Sequence, residues 1–224
     1  MSAHRKRALA AHRDEVLACR RCASVVGPSV IGPPVVSAIY ALGQAPGPHE
    51  AKKGRPFAHT AGKTLFGWFA RIGVDEATYR ERVYMAAVTR CFPGKGSGAS
   101  KGDRVPSPEE IEACRPFVAR EIALLRPSLI IPIGRLAIGE VLGTARFTLA
   151  EVVGESFRVR FHGVEADAVP LPHPSGLSAW PKIEPGKTLL RRALERLAAH
   201  PTWRATFART SELDAAEDRH GADR

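Results

Sequence analysis

The chain's four cysteines have a spacing that suits one metal centre. Cys19 and Cys22 form a C-x2-C pair, and Cys91 and Cys114 follow much later in the chain. A C-x2-C pair presents two thiolates from one turn, which suits a tetrahedral zinc ion or one corner of a 4Fe–4S cluster. Four unrelated buried thiols, or disulfides, are the alternatives, because cysteine is often buried without having any function.

A second group of residues is typical of a base-binding site. The turn Gly43–Gly47, with the sequence Gly-Gln-Ala-Pro-Gly, is expected to be rigid and to expose main-chain N–H and C=O groups. Phe57 follows ten residues later. A fixed turn beside an aromatic ring offers edge hydrogen bonds and stacking, which recognition of a planar base requires. Taken alone, this segment favours the alternative, a surface loop with a core Phe.

A third candidate is His173, which lies between Pro172 and Pro174 and is followed by Ser175. Prolines restrict the backbone, and a histidine held in this way can donate a hydrogen bond in a fixed direction. A solvated loop histidine is the alternative. The sequence contains no P-loop or H-E-x-x-H motif, so it does not indicate a P-loop NTPase or a zinc protease.

Composition points to one large domain with a polyanionic partner. The chain has 224 residues, 44% of them hydrophobic, and a net charge of +10 from 33 basic and 23 acidic residues. Such a charge suits nucleic acid, although it is also compatible with a merely basic protein. The N-terminal residues are too polar for a signal peptide. We therefore expect a cytoplasmic protein, in which thiols stay reduced and metal sites are favoured over disulfides.

Strands alternating with helices predict an α/β fold with a largely parallel sheet. The apolar runs predict strands at residues 35–42, 83–89, 129–133, 157–161 and 164–169. Helices are predicted at residues 3–17, 61–72, 135–142 and 188–199, and a further helix begins after Ser107, where Pro108 and Glu110 complete an N-terminal capping pattern. Residues 94–102 are expected to form a flexible, cationic loop.

The candidate residues come directly after the predicted strands. Gln44 follows the first strand, Cys91 the second and His173 the last. Ligands bind at the carboxyl ends of parallel strands in folds of this class. The sequence therefore predicts that these positions share one edge of the sheet.

Taken together, the motifs resemble a known family. Their order is C-x2-C, Gly-Gln-Ala-Pro-Gly, Gly-Arg-Pro-Phe, a strand ending at Cys91, P-E-E-I-x-x-C at Pro108 to Cys114 and His-Pro-Ser. This order resembles the iron–sulfur uracil-DNA glycosylases, families 4 and 5 of the uracil-DNA glycosylase superfamily, from about Leu17 to Leu197. The resemblance implies a three-layer α/β/α fold with a central, mainly parallel four-stranded sheet. It implies one domain over residues 1–203 with an N-terminal cluster-binding helix. After Trp203 the chain turns polar, which predicts a tail over residues 204–224.

The resemblance also assigns roles to residues. A 4Fe–4S cluster would be held by Cys19, Cys22, Cys91 and Cys114. The catalytic candidates are His173, as donor to the departing base, together with Glu50 and Gln44. The residues expected to bind the substrate are Gly43, Gln44, Ala45, Pro46, Gly47, Phe57, Ala87 and Ser175. Glu50 is a candidate for orienting the attacking water, with a solvated loop carboxylate as the alternative.

Two positions depart from the family 4 pattern. Gln44 stands where family 4 usually has Glu, and Ala87 stands where family 4 has the Asn that reads the uracil edge. The Ala-Ala-Val run before Cys91 is more similar to family 5. Glycosylase activity is therefore better indicated than specificity for uracil.

The function implied is hydrolysis of the N-glycosidic bond of uracil, or of other deaminated bases, in DNA by base flipping, which leaves an abasic site. The expected partner is damaged DNA, with no membrane partner, and the protein is expected to act as a monomer at the nucleoid of a bacterial cytoplasm. A non-catalytic DNA-binding protein of the same fold and a zinc-stapled nucleic-acid-binding module are the alternatives.

Overall fold

The computed structural model describes residues 2–96, 102–176 and 178–208. Its strands are β1 Ile39–Gly43, β2 Tyr84–Ala87, β3 Leu129–Pro132, β4 Phe157–Phe161 and β5 Val164–Ala168. Its helices are α1 Ser2–Ala18, α2 Pro48–Lys53, α3 Thr60–Ala70, α4 Glu76–Arg82, α5 Pro108–Leu125, α6 Arg135–Leu142, α7 Leu149–Val152, α8 Gly186–Ala199 and α9 Pro201–Phe207. A 3-10 turn covers Trp180–Lys182.

The strands form a five-stranded sheet in the order β2-β1-β3-β5-β4. The pairs β1–β2, β1–β3 and β3–β5 are parallel, while β4 is antiparallel to β5. The predicted α/β class with a mainly parallel central sheet is confirmed. The sheet has one strand more than the predicted four, because β4 turns back at His162 and Gly163, both at positive φ, and adds an antiparallel edge.

Apolar residues cover both faces of the sheet. Ile39 and Ala41 of β1 belong to one buried cluster, which includes α3 and α8, and Tyr40 and Leu42 belong to the other, which includes α5. Successive strand residues point to opposite faces, so a strand that is apolar throughout must be covered on both. The helices therefore lie in two layers around the sheet, as predicted.

The predicted start of α5 is confirmed. Ser107 Oγ accepts a hydrogen bond from the Glu110 N–H at 3.3 Å, and the Glu110 carboxylate accepts one from the Ser107 N–H at 2.8 Å. This capping box satisfies main-chain donors that a helix start leaves free. The helix passes through Pro116 and ends at Leu125.

Other boundaries differ from the prediction. β1 begins at Ile39 rather than at residue 35, because Ser37 Oγ accepts from the Ile39 N–H at 3.0 Å and the Val35 N–H bonds to Pro33 O at 2.8 Å. These local bonds take the place of sheet pairing. Four short helices were not predicted from periodicity, because each has fewer than eight residues: α2, α4, α7 and α9.

Two predicted features fall partly outside the described residues. Residues 97–101 of the cationic loop and residues 209–224 of the polar tail are among those not described. Residues 204–207 belong to α9, whose Phe207 stacks on Tyr79 with ring centroids 6.2 Å apart. No helix within the described ranges has the length and apolar character needed to cross a membrane.

Candidate functional site

A cavity of about 720 Å³ opens at the carboxyl ends of the parallel strands. Gly43 of β1 and Ala87 of β2 are direct neighbours in the sheet, so both strand ends meet at its floor. All the predicted catalytic and substrate-binding residues line this one cavity: Gly43, Gln44, Ala45, Pro46, Gly47, Glu50, Phe57, Ala87, His173 and Ser175. The structure therefore brings together segments that lie more than a hundred residues apart in the sequence.

The turn after β1 has two carbonyls that are already hydrogen-bonded and two N–H groups that are not. The carbonyls of Gly43 and Gln44 already accept from the N–H groups of Val88 and Thr89, at 2.9 Å and 3.2 Å. Within the described ranges, the N–H groups of Gln44 and Ala45 have no acceptor, and the Gln44 side-chain amide makes no hydrogen bond. These groups are available to a ligand.

Phe57 is held in an unusual backbone conformation at the cavity wall. Its φ is 50°, a left-handed value that is rarely found for a bulky residue. Arg80 donates to the carbonyls of Pro56 and Phe57 at 3.0 Å and 2.7 Å. A Cβ on Gly62 would lie 1.9 Å from Phe57 O, so only glycine allows α3 to approach this segment so closely. A Cβ on Gly43 would lie 2.9 Å from Phe57 Cζ, so the ring rests directly on the end of β1.

Glu50 is a buried residue of α2 that connects two walls of the cavity. Its Oε2 accepts from the Gly47 N–H at 3.2 Å, and its Oε1 accepts from the Ala58 N–H at 3.1 Å. The residue is only 8% exposed. The carboxylate therefore fixes the turn relative to the Phe57 segment.

His173 also lines the cavity, and its hydrogen bond defines its tautomer. Its Nδ1 accepts from the Ser175 N–H at 3.2 Å, so the proton of the neutral ring is on Nε2. The surrounding walls desolvate the ring and lower the pKa of His173, and the Asp103 carboxylate opposes this shift. Gly134, at φ 87°, makes room for the ring, because a Cβ there would lie 3.1 Å from His173 Cδ2.

The cysteines line a second, smaller cavity of about 180 Å³. All four thiols, those of Cys19, Cys22, Cys91 and Cys114, are at its walls. Burial raises the pKa of Cys91 to about 11, and repulsion from the other three thiols, Cys114 first, adds to the shift. Four thiolates this close together need a positive group among them. In the described part of the chain, no three His, Cys, Asp or Glu side chains are arranged to hold a single metal ion.

The side chain of Arg90, next to Cys91, indicates which kind of group this cavity could hold. The side chain is fully buried, lines the cavity and donates from Nη2 to Glu121 Oε2 at 2.5 Å. Its Nε and Nη1 have no partner among the described residues. Unpaired buried donors are costly, and a cluster with four thiolate ligands offers anionic sulfur acceptors. The donor set therefore fits an iron–sulfur cluster.

Comparison with known proteins identifies the fold family. Residues 30–198, more than half of the chain, match the uracil DNA glycosylase superfamily. The chain belongs to this superfamily. It is similar to a protein of Archaeoglobus fulgidus named Type-4 uracil-DNA glycosylase, with 30% identity over 175 residues that cover 75% of this chain and 82% of the relative. A Pyrobaculum aerophilum protein of the same name is 31% identical over 148 residues, 65% of this chain and 70% of the relative.

A third relative with this name, from Sulfurisphaera tokodaii, is 29% identical over 174 residues, 73% of this chain and 72% of the relative. The resemblance derived from the motif order is therefore confirmed. Its motifs lie on the elements that build the two cavities.

Glu121 of α5 is a buried residue that the sequence did not single out. Burial alone would raise the pKa of its carboxyl group, but Arg90 and hydrogen bonds from His12 and Tyr40 lower it overall. Tyr84 also donates to Oε1 at 2.8 Å. The carboxylate therefore joins α1, β1, β2 and α5 behind the cysteine cavity. The sequence signal that could have identified Glu121 is that a charged residue stands on the apolar side of a predicted helix.

Glu110 links Ser24, which follows Cys22, to a hairpin at the first cavity in which residues 94–96 pair with residues 102–104. It accepts from Ser24 Oγ at 2.7 Å and from both terminal nitrogens of Arg104, at 2.6 Å and 2.8 Å. These bonds, that with Arg104 foremost, lower the pKa of Glu110 to about 2. The two cavities therefore share a structural connection.

The hairpin contributes residues to the first cavity that sequence reasoning missed. Its main-chain bonds join Arg104 N to Gly94 O and Gly96 N to Gly102 O, each at 2.9 Å. Asp103 is the one acidic residue in the glycine-rich, basic stretch from 94 to 105. This contrast is the sequence signal that could have identified it. His49 and His59 also line the cavity and stack with ring centroids 3.8 Å apart.

Proposed function

We propose that this protein is a DNA repair glycosylase that hydrolyses the N-glycosidic bond of uracil in DNA and leaves an abasic site. The observation that carries the proposal is the fixed Nε2–H donor of His173 in the cavity that Phe57 and the Gly43–Gly47 turn also line. Three relatives named Type-4 uracil-DNA glycosylase support it.

The target nucleotide must leave the DNA stack to reach this cavity. A volume of about 720 Å³ is within the usual range for small-molecule sites. In this proposal the flipped base stacks on Phe57, and the free N–H groups of Gln44 and Ala45 bond to its edge. Arg80, Gly62 and Glu50 hold these elements in place before the base arrives, which reduces the cost of ordering on binding.

Catalysis requires stabilisation of the negative charge that appears on the departing base. His173 Nε2–H is the donor in this proposal, and a donor already in place needs no reorganisation when the charge appears. The lowered pKa of His173 supports a neutral ring at physiological pH. The ring then acts as a hydrogen-bond donor and does not need to be a strong acid. The free Gln44 amide is a further candidate to contact the base or the water.

Specificity in this proposal extends beyond uracil to other deaminated bases. Ala87 is at the cavity floor beside Gly43 and offers no side-chain amide to distinguish one base edge from another. Main-chain groups of the turn are then the main source of edge recognition.

The proposed cofactor is a 4Fe–4S cluster held by Cys19, Cys22, Cys91 and Cys114. When bound, the cluster supplies a rigid cross-link, since hydrolysis of a glycosidic bond needs no electrons. Through the Ser24–Glu110–Arg104 bonds this cross-link would support the hairpin that borders the first cavity. A monomer in the bacterial cytoplasm, at the nucleoid, completes the proposal, and the net charge of +10 supports DNA as the partner.

The deciding experiment is an excision assay on duplexes that carry one uracil, one hypoxanthine or no modified base. The expected result is alkali-sensitive breakage at uracil, weaker breakage at hypoxanthine and none in the unmodified duplex. Binding to the uracil duplex without breakage would contradict the proposal and favour the non-catalytic DNA-binding alternative.

A further inference from the structure

We propose that Asp103 is a catalytic residue of the first cavity, the carboxylate that orients the attacking water and accepts its proton. The inference rests on the proposed function, because the water and the sugar carbon belong to that reaction. In the described part of the chain, Glu50 and Asp103 are the carboxylate side chains that line the cavity. The choice between them follows from what each already binds.

Glu50 is committed to the structure of the cavity. Both of its oxygens accept main-chain N–H groups, from Gly47 at 3.2 Å and from Ala58 at 3.1 Å. Accepting a proton would weaken at least one of these bonds and release the turn from the Phe57 segment. Glu50 is therefore a positioning residue, which leaves Asp103 as the lining carboxylate, among the described residues, that could act on the water.

Asp103 has one oxygen bonded and one free. Lys95 Nζ donates to its Oδ1 at 2.6 Å, and an antiparallel bridge between the same two residues fixes the backbone of the hairpin. No described residue donates to Oδ2. The side chain is thus held by Lys95 but keeps an oxygen that can bond to water.

The free oxygen lies close to Gly47 at the cavity wall. A Cβ at that position would lie 3.5 Å from Asp103 Oδ2 and 2.9 Å from Glu50 Oε2. Any larger residue at position 47 would place a side chain against Oδ2, so glycine leaves this oxygen open to the cavity. A water molecule that enters the cavity beside Gly47 could then bond to the carboxylate, as a general base requires.

The position of Asp103 relative to His173 matches the charges of the reaction. Asp103 is near enough to oppose, by its negative charge, the effect of burial on the pKa of His173. Bond breaking leaves positive charge on the sugar and negative charge on the base. The cavity therefore offers a carboxylate for the sugar and its water, and a separate N–H donor for the base.

The bond between the sugar C1′ and the base nitrogen breaks, and its electron pair goes to the base, which accepts the hydrogen bond from His173 Nε2. The water oxygen bonds to C1′, and its proton goes to Asp103 Oδ2 and then to solvent. The base anion takes up a proton from solvent, so one water is consumed for each base released.

The first test compares Asp103→Asn with the wild-type protein in single-turnover excision of uracil from duplex DNA. The amide keeps the size of the side chain and the bond from Lys95, so the rate should fall by roughly 10²-fold or more while DNA affinity stays equal or increases. Glu195→Gln is the charge-matched control, because Glu195 forms an exposed pair with Arg191, outside the residues that line the cavity. It should keep the wild-type rate.

The second test uses Asp103→Ala, which leaves room for a small anion. Added formate should restore part of the lost rate in Asp103→Ala but not in Asp103→Asn, where the amide fills the space. A wild-type rate in Asp103→Asn, or a slow Asp103→Ala that formate does not accelerate, would overturn the role of Asp103. If the wild-type protein excises no uracil, the proposed function itself fails.

Discussion

Arg80 Nη2 lies 2.7 Å from the main-chain oxygen of Phe57 and holds this residue at a φ of 50°. Residues in sparsely populated backbone conformations cost about 1–3 kcal/mol and persist only where their surroundings fix them. Here the surroundings are Arg80, which also lies 4.6 Å from the Phe66 ring centroid, and the close approach of Gly62. The aromatic wall of the cavity is thus set by a residue outside it.

The Arg80→Met substitution should therefore impair excision without removing any group that lines the cavity. We expect the half-saturating DNA concentration to rise and the single-turnover rate to fall by about tenfold, since base–aromatic stacking is worth about 1–3 kcal/mol. Arg82→Met is the matched control, because Arg82, on the same helix, donates to Thr206 O instead. Equal excision defects in the two variants would show that the effect is a general loss of stability.

Replacing His173 by Ala should lower the single-turnover rate by roughly 10²–10³-fold, the usual effect of removing one donor to a developing anion. DNA affinity should change little, because the charge on the base appears only in the transition state. Rates and affinities on the same uracil duplex check this, with His4→Ala, an exposed histidine of α1, as control. An unchanged rate in His173→Ala would assign the reaction to Asp103 and the turn alone.

The Ala87→Asn substitution should change which bases are excised. The new amide would stand beside Gly43 at the cavity floor, within the site proposed for the base edge. We expect the ratio of uracil to hypoxanthine excision to rise, because an amide distinguishes edges that a methyl group does not. Competition between the two duplexes measures the ratio. An unchanged ratio would mean that residue 87 does not contact the base.

The purified protein should contain iron and acid-labile sulfide in near-equal amounts, about four of each per chain. It should be brown and absorb near 400 nm, and Cys91→Ser should reduce iron content and folding yield together. Metal and sulfide analysis of anaerobic preparations checks this. Stoichiometric zinc without sulfide would instead support the zinc alternative.

Glu110 should make stability depend on pH. Its folded-state pKa of about 2 lies below the ordinary value near 4.3, so its contribution is present above the ordinary value and is lost as pH falls towards 2. Glu110→Gln should therefore cost about 1.5–3 kcal/mol at neutral pH, and the difference from wild type should shrink below about pH 4. Denaturant unfolding at several pH values measures it. Glu112→Gln is the control, since its side chain is 71% exposed, and a similar loss there would contradict the role of Glu110.

Much of the fold could be predicted from local patterns. The apolar run around Ile39–Gly43 needed burial on both faces, and Ser107 with Glu110 marked the start of α5 correctly. The family resemblance was also contained in the motif order. The short helix α2 was missed, since six residues give no usable periodicity, and with it the burial of Glu50 was missed as well.

The sequence by itself determined the types of chemical group available: four thiols, a proline-flanked histidine, a glycine-rich turn and an excess of positive charge. Only the tertiary structure decided which of these groups meet. It committed Glu50 to main-chain donors, left Asp103 Oδ2 free and placed the proton of His173 on Nε2. The reason is physical: a hydrogen bond depends on a distance and a direction between residues far apart in the chain, and neither is encoded in local spacing.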